Sequence, residues 1–247
     1  MWIPRWAGEA YAILYESFKL QTFRFEDILK VLPASPEMVK AILSKLHKES
    51  LLTIFERSRP RLYRLMDPET FISIASGKIN RLKIPQERYL KLIYDCCKAL
   101  RENIDLTSLA VYGSVARGTA GDTSDVDLFT VSNDFKGTLG ERIEFLTRIV
   151  EKRVGDEIRF LQDNKIYTFL SFYPLRKFEA EKLPLIMLDM VDDSKIVYDE
   201  DGFLENLLLK LKLKLIDAKV RKVYIEKNKW YWDLHPDFGY VKAIPYG

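Results

Sequence analysis

Apolar residues recur at helical spacing in three stretches near the start of the chain. The spacing predicts helices over residues 7–18, 25–32 and 37–49, because apolar positions three and four apart share one helix face. Two shorter stretches, 51–55 and 62–65, read as strands separated by a polar, proline-containing turn. The first 66 residues are therefore predicted to form three helices followed by a β-hairpin.

The rest of the chain mixes helical and strand patterns, which indicates an α+β fold. Glycine, proline and aspartate clusters separate the segments, and there is no internal repeat. The predicted helices cover 67–75, 87–102, 113–117, 139–162, 183–190 and 203–218, and the predicted strands cover 109–112, 125–131, 166–173, 195–198, 222–225 and 230–234.

Composition excludes several classes of protein. Hydrophobic residues make up 47% of the 247 residues and charged residues 30%, which excludes a disordered chain. The most apolar stretches are broken by charges well short of the ~20 residues of a membrane span. The two cysteines are adjacent and there are two histidines, so a disulfide scaffold, a thiolate zinc site and a Ser-His-Asp triad are not expected. With no signal-peptide pattern at the start, a reduced, cytoplasmic protein is predicted.

Positive charge is concentrated near the N-terminus. The net charge is +3, yet the first 66 residues carry 11 Lys and Arg against 7 Asp and Glu, which leaves −1 for the remainder. The chain also has few glutamines and many lysines, glutamates and arginines. This balance points towards a thermophile.

The order helix, helix, helix and hairpin within 66 residues resembles a winged helix-turn-helix domain. The resemblance makes the third helix a recognition helix and the hairpin turn a wing, both placed to contact nucleic acid. The alternative is a solvated hairpin tip in a module used for dimerisation or docking. The cationic side chains predicted to contact phosphates are Lys40, Lys45 and Lys48 on the helix and Arg57, Arg59, Arg61 and Arg64 on the hairpin.

The middle of the chain combines a glycine-containing turn with two carboxylates. Gly113 and Ser114 follow a predicted buried strand, and Asp125 and Asp127 begin the next strand with Val126 between them. Alternate strand residues share a face, so the two carboxylates point the same way. They repel each other without a cation, and Mg²⁺ prefers oxygen ligands and shares itself with phosphates. Gly113 permits close approach of a phosphate, and Ser114 adds a hydroxyl at a helix start.

Gly113-Ser114, ten further residues, and then Asp125-Val126-Asp127 resemble the polymerase-β-type nucleotidyltransferase superfamily. Ala116-Arg117-Gly118 adds similarity to its minimal nucleotidyltransferase branch. The resemblance covers about residues 103–199. It implies a mixed β-sheet with helices on one face, and transfer of a nucleoside monophosphate from a triphosphate to an acceptor. It also implies that Asp125 and Asp127 are catalytic and bind Mg²⁺, that Gly113 and Ser114 bind the nucleotide, and that Arg117 reaches phosphate.

The chain departs from the family pattern at the third carboxylate, which the family carries on a later strand. The predicted strand over 166–173 contains no acidic residue. Glu179, Glu181 and Asp189 follow it and are candidate substitutes. Two carboxylates are present where a complete two-metal site uses three, so the sequence supports the fold more firmly than the activity.

Four regions are predicted: a winged helix domain (1–66), a helical linker (67–102), a nucleotidyltransferase core (103–200) and a C-terminal helix and β-hairpin extension (201–247). The leading hypothesis is a Mg²⁺-dependent, archaeal-like, ATP-binding type of enzyme that transfers a nucleoside monophosphate from a nucleoside triphosphate, whose base the sequence does not fix, to a nucleic acid, a protein or a small molecule. The alternative is a nucleotide-sensing palm fused to a DNA-binding winged helix, which would act as a regulator. No membrane partner is expected, and a dimer is left open.

Overall fold

The computed structural model describes residues 3–226 and 229–234 of the chain. Its first part contains three helices and a three-stranded antiparallel sheet in the order β1-β3-β2. The helices and the hairpin lie where the sequence pattern predicts them, to within about two residues at each end. Strand β1 was not predicted, because two residues are too few to show a period. The elements are α1 (Arg5–Phe18), β1 (Thr22–Phe23), α2 (Phe25–Val31), α3 (Pro36–Lys48), β2 (Leu52–Glu56) and β3 (Leu62–Leu65).

Local chemistry sets the start of α3. The Ser35 hydroxyl accepts a hydrogen bond from the Met38 amide at 3.3 Å, and Pro36 occupies the first turn; both features favour a helix start. Val39 and Leu46 are fully buried and pack with residues of α1 and α2 in one cluster. The opposite face of α3 therefore remains in solvent.

Two helices connect this N-terminal module to the central sheet. They are α4 (Pro68–Ala75) and α5 (Leu90–Asn103), and a 3₁₀ turn lies directly before α5. The sequence analysis places the residues of α5 in a helical linker. In the structure α5 packs into the core, with Leu92, Cys96 and Cys97 fully buried. Burial raises the pKa of the Cys97 thiol to about 12, so Cys97 is a neutral core residue.

A four-stranded mixed sheet forms the centre of the molecule, in the order β6-β5-β4-β7. Strand β4 pairs antiparallel with β5 and with β7, whereas β5 and β6 are parallel. The parallel pair needs a crossover connection, which α7 supplies. The mixed α+β architecture predicted from the sequence is thus present. Its elements are β4 (Leu106–Tyr112), α6 (Gly113–Arg117), β5 (Val126–Ser132), α7 (Leu139–Asp163), β6 (Leu170–Leu175), α8 (Lys177–Ala180) and β7 (Lys195–Asp199).

Helices cover both faces of this sheet. Leu109 of β4 packs in the cluster formed with α5 and α7. The next residue, Ala110, points the other way and packs with Phe129 and with Leu204 of α9 (Phe203–Asp217). The prediction of helices on one face is therefore wrong, because α9 of the predicted C-terminal extension covers the second face.

Strand β6 begins four residues later than predicted, at Leu170. The residues before it bind the loop that precedes β5. The Tyr167 amide donates to the Asp122 carbonyl at 2.7 Å, and the Thr168 hydroxyl donates to the Ser124 carbonyl at 2.8 Å. This stretch therefore holds the loop rather than extending the sheet.

The predicted C-terminal hairpin is present in the described part of the chain as β8 (Arg221–Glu226) and β9 (Lys229–Asp233), which pair antiparallel. The remainder of the extension, from residue 235 to 247, lies outside the described residues. None of the described helices combines the length and the apolar character needed to cross a membrane.

Candidate active site

The glycine that follows β4 lies against a carboxylate of the neighbouring strand. Gly113 has a φ of 69°, in the left-handed region that glycine adopts without strain. A Cβ on Gly113 would fall well inside van der Waals contact with Oδ2 of Asp127. Any other residue here would therefore strain the backbone and displace the carboxylate. The structure thus brings the predicted phosphate-binding turn and one predicted metal ligand together.

The two predicted metal ligands share one face of the sheet. Asp125 directly precedes β5 and is exposed, whereas Asp127 lies within the strand and is half-buried. Val126 between them is fully buried in the cluster with α5 and α7, so both carboxylates lie on the opposite side. Asp127 is in register with Tyr112 of β4 and Ser171 of β6. These three residues form a row across the sheet.

Electrostatics in this row favour a bound cation. Burial raises the pKa of Asp127, and the charge of Asp125 raises it further. A hydrogen bond with Ser171 and the charge of Arg117 offset this only in part. A cation would relieve the repulsion, and carboxylate oxygens are suitable ligands for Mg²⁺.

Across residues 3–226 and 229–234, no group of three or more His, Cys, Asp or Glu side chains is placed to hold a metal ion. Asp125 and Asp127 alone do not form such a group.

Ser114 and Arg117 lie on α6, next to the carboxylates. Ser114 is half-buried in the first turn, and Arg117 is exposed at the end of the helix. The charge of Arg117 lowers the pKa of both Asp127 and Asp189. The guanidinium is therefore close enough to act on an anion held at this face.

Glu179, one candidate for a third carboxylate, has a structural role. Arg142 donates hydrogen bonds to its two oxygens at 2.6 and 3.0 Å. These bonds, with others from Arg176, lower the pKa of Glu179 to about 2. Glu181 is exposed beyond α8. Strand β6 itself contains no acidic residue, and Ser171 occupies the position beside Asp127.

Asp189 is the candidate third carboxylate that lies on the same face of the sheet as Asp125 and Asp127. It ends a 3₁₀ turn whose Met187 packs with Phe129 on the α9 side of the sheet, as does the following Met190. Burial raises the pKa of Asp189, and Arg117 lowers it. Asp189 therefore shares both the sheet face and the cationic neighbour of the strand carboxylates.

Sequence reasoning missed two polar residues of this row, Tyr112 and Ser171. Burial, and then the nearby charge of Asp127, raise the pKa of Tyr112 to about 12, so its phenol stays neutral and can donate a hydrogen bond. The position of Tyr112 directly before Gly113 is a sequence signal that could have identified it. Ser171 could be found only from the register of β6 against β5.

The predicted nucleic-acid contacts fall into two groups. Lys45 is only partly exposed and pairs with Glu49 at 2.7 Å, which is a poor position for contact with a phosphate. The exposed members are Lys40 and Lys48 on α3 and Arg57, Arg59 and Arg61 in the hairpin turn.

The prediction for Arg64 is wrong, because this side chain points inward. Its side chain is 5% exposed, and it donates hydrogen bonds to both oxygens of Glu157 on α7 at 2.6 and 2.8 Å. It also donates to the Leu20 carbonyl and lies 3.6 Å from the ring centre of Phe160. Arg64 joins the N-terminal module to the core and does not reach a nucleic acid.

Comparison with known proteins identifies the central segment. The family model of the nucleotidyltransferase domain matches residues 93–186, beginning within α5. The chain is also 27% identical over 125 residues to a Methanocaldococcus jannaschii protein named "Putative protein adenylyltransferase MJ1305". That similarity covers 51% of this chain and 79% of the relative.

Similar solved structures include a toxin–antitoxin complex with AMP-PNP, at 16% identity and a TM-score of 0.31, covering 51% of this chain and 90% of the other. A crystal structure of the toxin–antitoxin MntA-HepT is 12% identical with a TM-score of 0.30, covering 52% and 91%. The family match spans the turn at Gly113 and the carboxylates Asp125 and Asp127. Residues 93–186 of this chain are therefore similar to a nucleotidyltransferase domain.

Proposed function

We propose that this protein transfers a nucleoside monophosphate from a nucleoside triphosphate to an acceptor and releases pyrophosphate. The observation that carries the proposal is the contact of Gly113 with Asp127, with Asp125 on the same face of the sheet. This contact joins a turn suited to phosphate and a carboxylate pair suited to a metal in a single site.

Asp125 and Asp127 would hold Mg²⁺, which when bound supplies charge neutralisation for the triphosphate and the leaving pyrophosphate. Gly113 gives the phosphates close access to the backbone, Ser114 donates a hydrogen bond from its hydroxyl, and Arg117 adds positive charge. Catalysis then rests on positioning and on electrostatic stabilisation of phosphate oxygens.

Asp189 takes the place of the carboxylate that β6 lacks. It lies on the same face as Asp127, and its charge affects the same phenol, Tyr112. In this role its carboxylate accepts the proton of the acceptor group as the new bond to phosphorus forms.

We further infer that the nucleotide is ATP and that the acceptor is a protein. The support is the M. jannaschii relative, whose name describes a protein adenylyltransferase. The similarity covers 51% of this chain. A nucleic acid and a small molecule are the other acceptors that the same chemistry would serve.

The test is calorimetric titration with ATP, GTP, CTP and UTP, with and without Mg²⁺. The wild-type protein is expected to bind one triphosphate in a Mg²⁺-dependent manner, and the Asp125→Asn, Asp127→Asn double variant is expected to lose this binding and all transfer. The control is Glu181→Gln, which removes the same type of charge from an exposed position outside the site. Full transfer by both single variants, Asp125→Asn and Asp127→Asn, would overturn the proposal.

A second candidate function belongs to the N-terminal module. We propose that residues 1–66 form a winged helix domain that binds nucleic acid through α3 and the hairpin turn. The supporting observation is the set of exposed cations on these two elements, Lys40, Lys48, Arg57, Arg59 and Arg61. Lys45 and Arg64 do not belong to this set, because each pairs with a glutamate and is largely buried. In a regulator, this module would bind DNA while the central domain senses nucleotide.

Duplex binding measured at several salt concentrations tests this candidate. Each of Arg57→Ala, Arg59→Ala and Arg61→Ala is expected to reduce the slope of log K against log salt by about 1, because each removes one phosphate contact. Arg159→Ala, at an exposed position on α7, should leave the slope unchanged. Duplex binding that is absent or insensitive to salt would contradict the proposal.

A further inference from the structure

A five-residue segment lies between the N-terminal module and the candidate active site. It comprises residues 85–89, the end of the connection that leads into α5, and is called the strap here. The active-site loop is residues 118–124, which run from α6 to Asp125. Side chains of the strap contact both the loop and the module.

The strap binds the active-site loop through hydrogen bonds of two side chains to the loop backbone and one ion pair between side chains. The Gln86 amide group donates to the Ala120 carbonyl at 2.7 Å, and the Ala120 amide donates back to Gln86 Oε1 at 3.1 Å. The Tyr89 hydroxyl donates to the Gly121 carbonyl at 3.1 Å, and Arg88 pairs with Asp122 at 2.9 Å. Three consecutive loop residues are therefore fixed by three strap side chains.

Close packing at one end of the loop supports the same arrangement. Gly118 has a φ of 79°, and a Cβ on it would overlap the ring of Pro85. The loop can approach the strap this closely only because residue 118 is glycine. On the side of the loop towards β6, the Thr168 hydroxyl binds the Ser124 carbonyl directly before Asp125. The position of Asp125 is thus set by contacts on two sides of the loop.

The remaining strap residue, Glu87, binds the N-terminal module. Its carboxylate accepts a hydrogen bond from the Ile54 amide of β2 at 2.8 Å and lies 2.9 Å from the His47 ring at the end of α3. Arg57 of the hairpin turn is 3.8 Å away. The side chain of Glu87 is 12% exposed, so its carboxylate is largely shielded from water.

We propose that Gln86 is a positioning residue for the nucleotide site, and that Glu87 makes this position depend on the N-terminal module. Gln86 and Glu87 are adjacent, so a displacement of α3 or of the hairpin moves the strap and, with it, the loop that carries Asp125. A partner bound to α3 or to the hairpin turn would change nucleotide binding by this route. The functional consequence rests on the proposed triphosphate site, whereas the mechanical link does not.

Hydrogen exchange at the Ala120 amide tests the link directly, because Gln86 Oε1 is its hydrogen-bond acceptor. Gln86→Met has a similar length and no acceptor, and it is expected to speed exchange at Ala120 and to weaken Mg²⁺-ATP binding, each by about tenfold. Gln86→Glu keeps an acceptor oxygen and is expected to restore the protection of this amide.

Glu87→Ala tests the dependence on the N-terminal module, because the hydrogen bonds and ion pairs described for Glu87 are with His47, Ile54 and Arg57 of the module. It is expected to increase exchange at Ala120 and to weaken Mg²⁺-ATP binding in the same direction as Gln86→Met. The matched control is Glu56→Ala, which removes an exposed acid from the hairpin that Glu87 binds. Thermal melting of each variant shows whether the effect exceeds a general loss of stability.

The outcomes separate the two parts of the proposal. Unchanged Ala120 exchange in Gln86→Met would overturn the positioning role, and an effect of Gln86→Met without one of Glu87→Ala would overturn the dependence on the module. If the wild-type protein binds no triphosphate, the proposed function fails, and the exchange data still decide whether the strap links the module to the loop.

Discussion

Asp127 is the residue at which stability and the proposed function oppose each other. It is half-buried, faces Asp125, and has a raised pKa. A folded-state pKa above the unfolded value means that the ionised carboxylate destabilises the fold at neutral pH. Such a residue is expected where a site is built to receive a cation.

The prediction at this residue is that Asp127→Asn stabilises the metal-free protein. Asparagine keeps an oxygen for Ser171 and removes the charge that repels Asp125. The expected gain is about 2 °C in thermal midpoint at pH 7, which is roughly 1 kcal/mol for a chain of this size. Solvent screening of a half-exposed group keeps the gain this small.

The pH dependence of this gain follows from the direction of the shift. The cost of ionised Asp127 is fully present above its folded pKa and disappears as the pH falls through that value. The gain of Asp127→Asn should therefore shrink on acidification. Differential scanning calorimetry from pH 7 to pH 3 measures this change in the gain of thermal midpoint, with Glu181→Gln as the control. A lower midpoint for Asp127→Asn at pH 7 would show that the carboxylate is stabilised by contacts other than those described.

Most elements could be predicted because their signals are local. Ser35 with Pro36, and Asp67 with Pro68, start α3 and α4 where capping chemistry requires. The pairing of Asp125 and Asp127 on one face also follows from the two-residue period of a strand. These features depend only on neighbours in the sequence.

The features that could not be predicted depend on partners distant in sequence. The stretch 166–169 has strand-forming residues, yet it binds a loop more than 40 positions earlier. The charge of Asp189 acts on Tyr112 because β4 and a 3₁₀ turn pack on one face of the sheet, which no local pattern encodes. Arg64 reads as a surface cation, but its partner Glu157 is 93 positions away.

At the scale of the whole molecule, the N-terminal module and the core share one packed interior. Phe55 and Met66 of the module lie in the same cluster as residues of α5, α7 and the sheet. The Phe55 ring meets Phe160 of α7 edge-on, with centroids 5.6 Å apart. The buried pair of Arg64 and Glu157 lies beside these rings. Such a junction ties the module to the core, so a displacement of the module is passed on to the strap and to the active-site loop.

The prediction at this scale concerns that buried pair. Glu157→Gln leaves the Arg64 guanidinium buried without a compensating charge, which typically costs about 3 kcal/mol or more. The free energy of unfolding, measured by urea denaturation, should fall by this amount, whereas Glu151→Gln, at an exposed acid of the same helix, should change it by less than about 0.5 kcal/mol.

A double variant shows whether the charge pair or the contact surface holds the junction together. Arg64→Met with Glu157→Met removes both charges and keeps apolar volume, so it should be more stable than Glu157→Gln alone. Because Arg64 also binds the Leu20 carbonyl, the double variant should remain less stable than the wild type. If Glu157→Gln matches its control, the junction is held by Phe55, Met66 and Phe160 rather than by charge. The orientation of the module would then rest on apolar packing and on the contacts of Glu87.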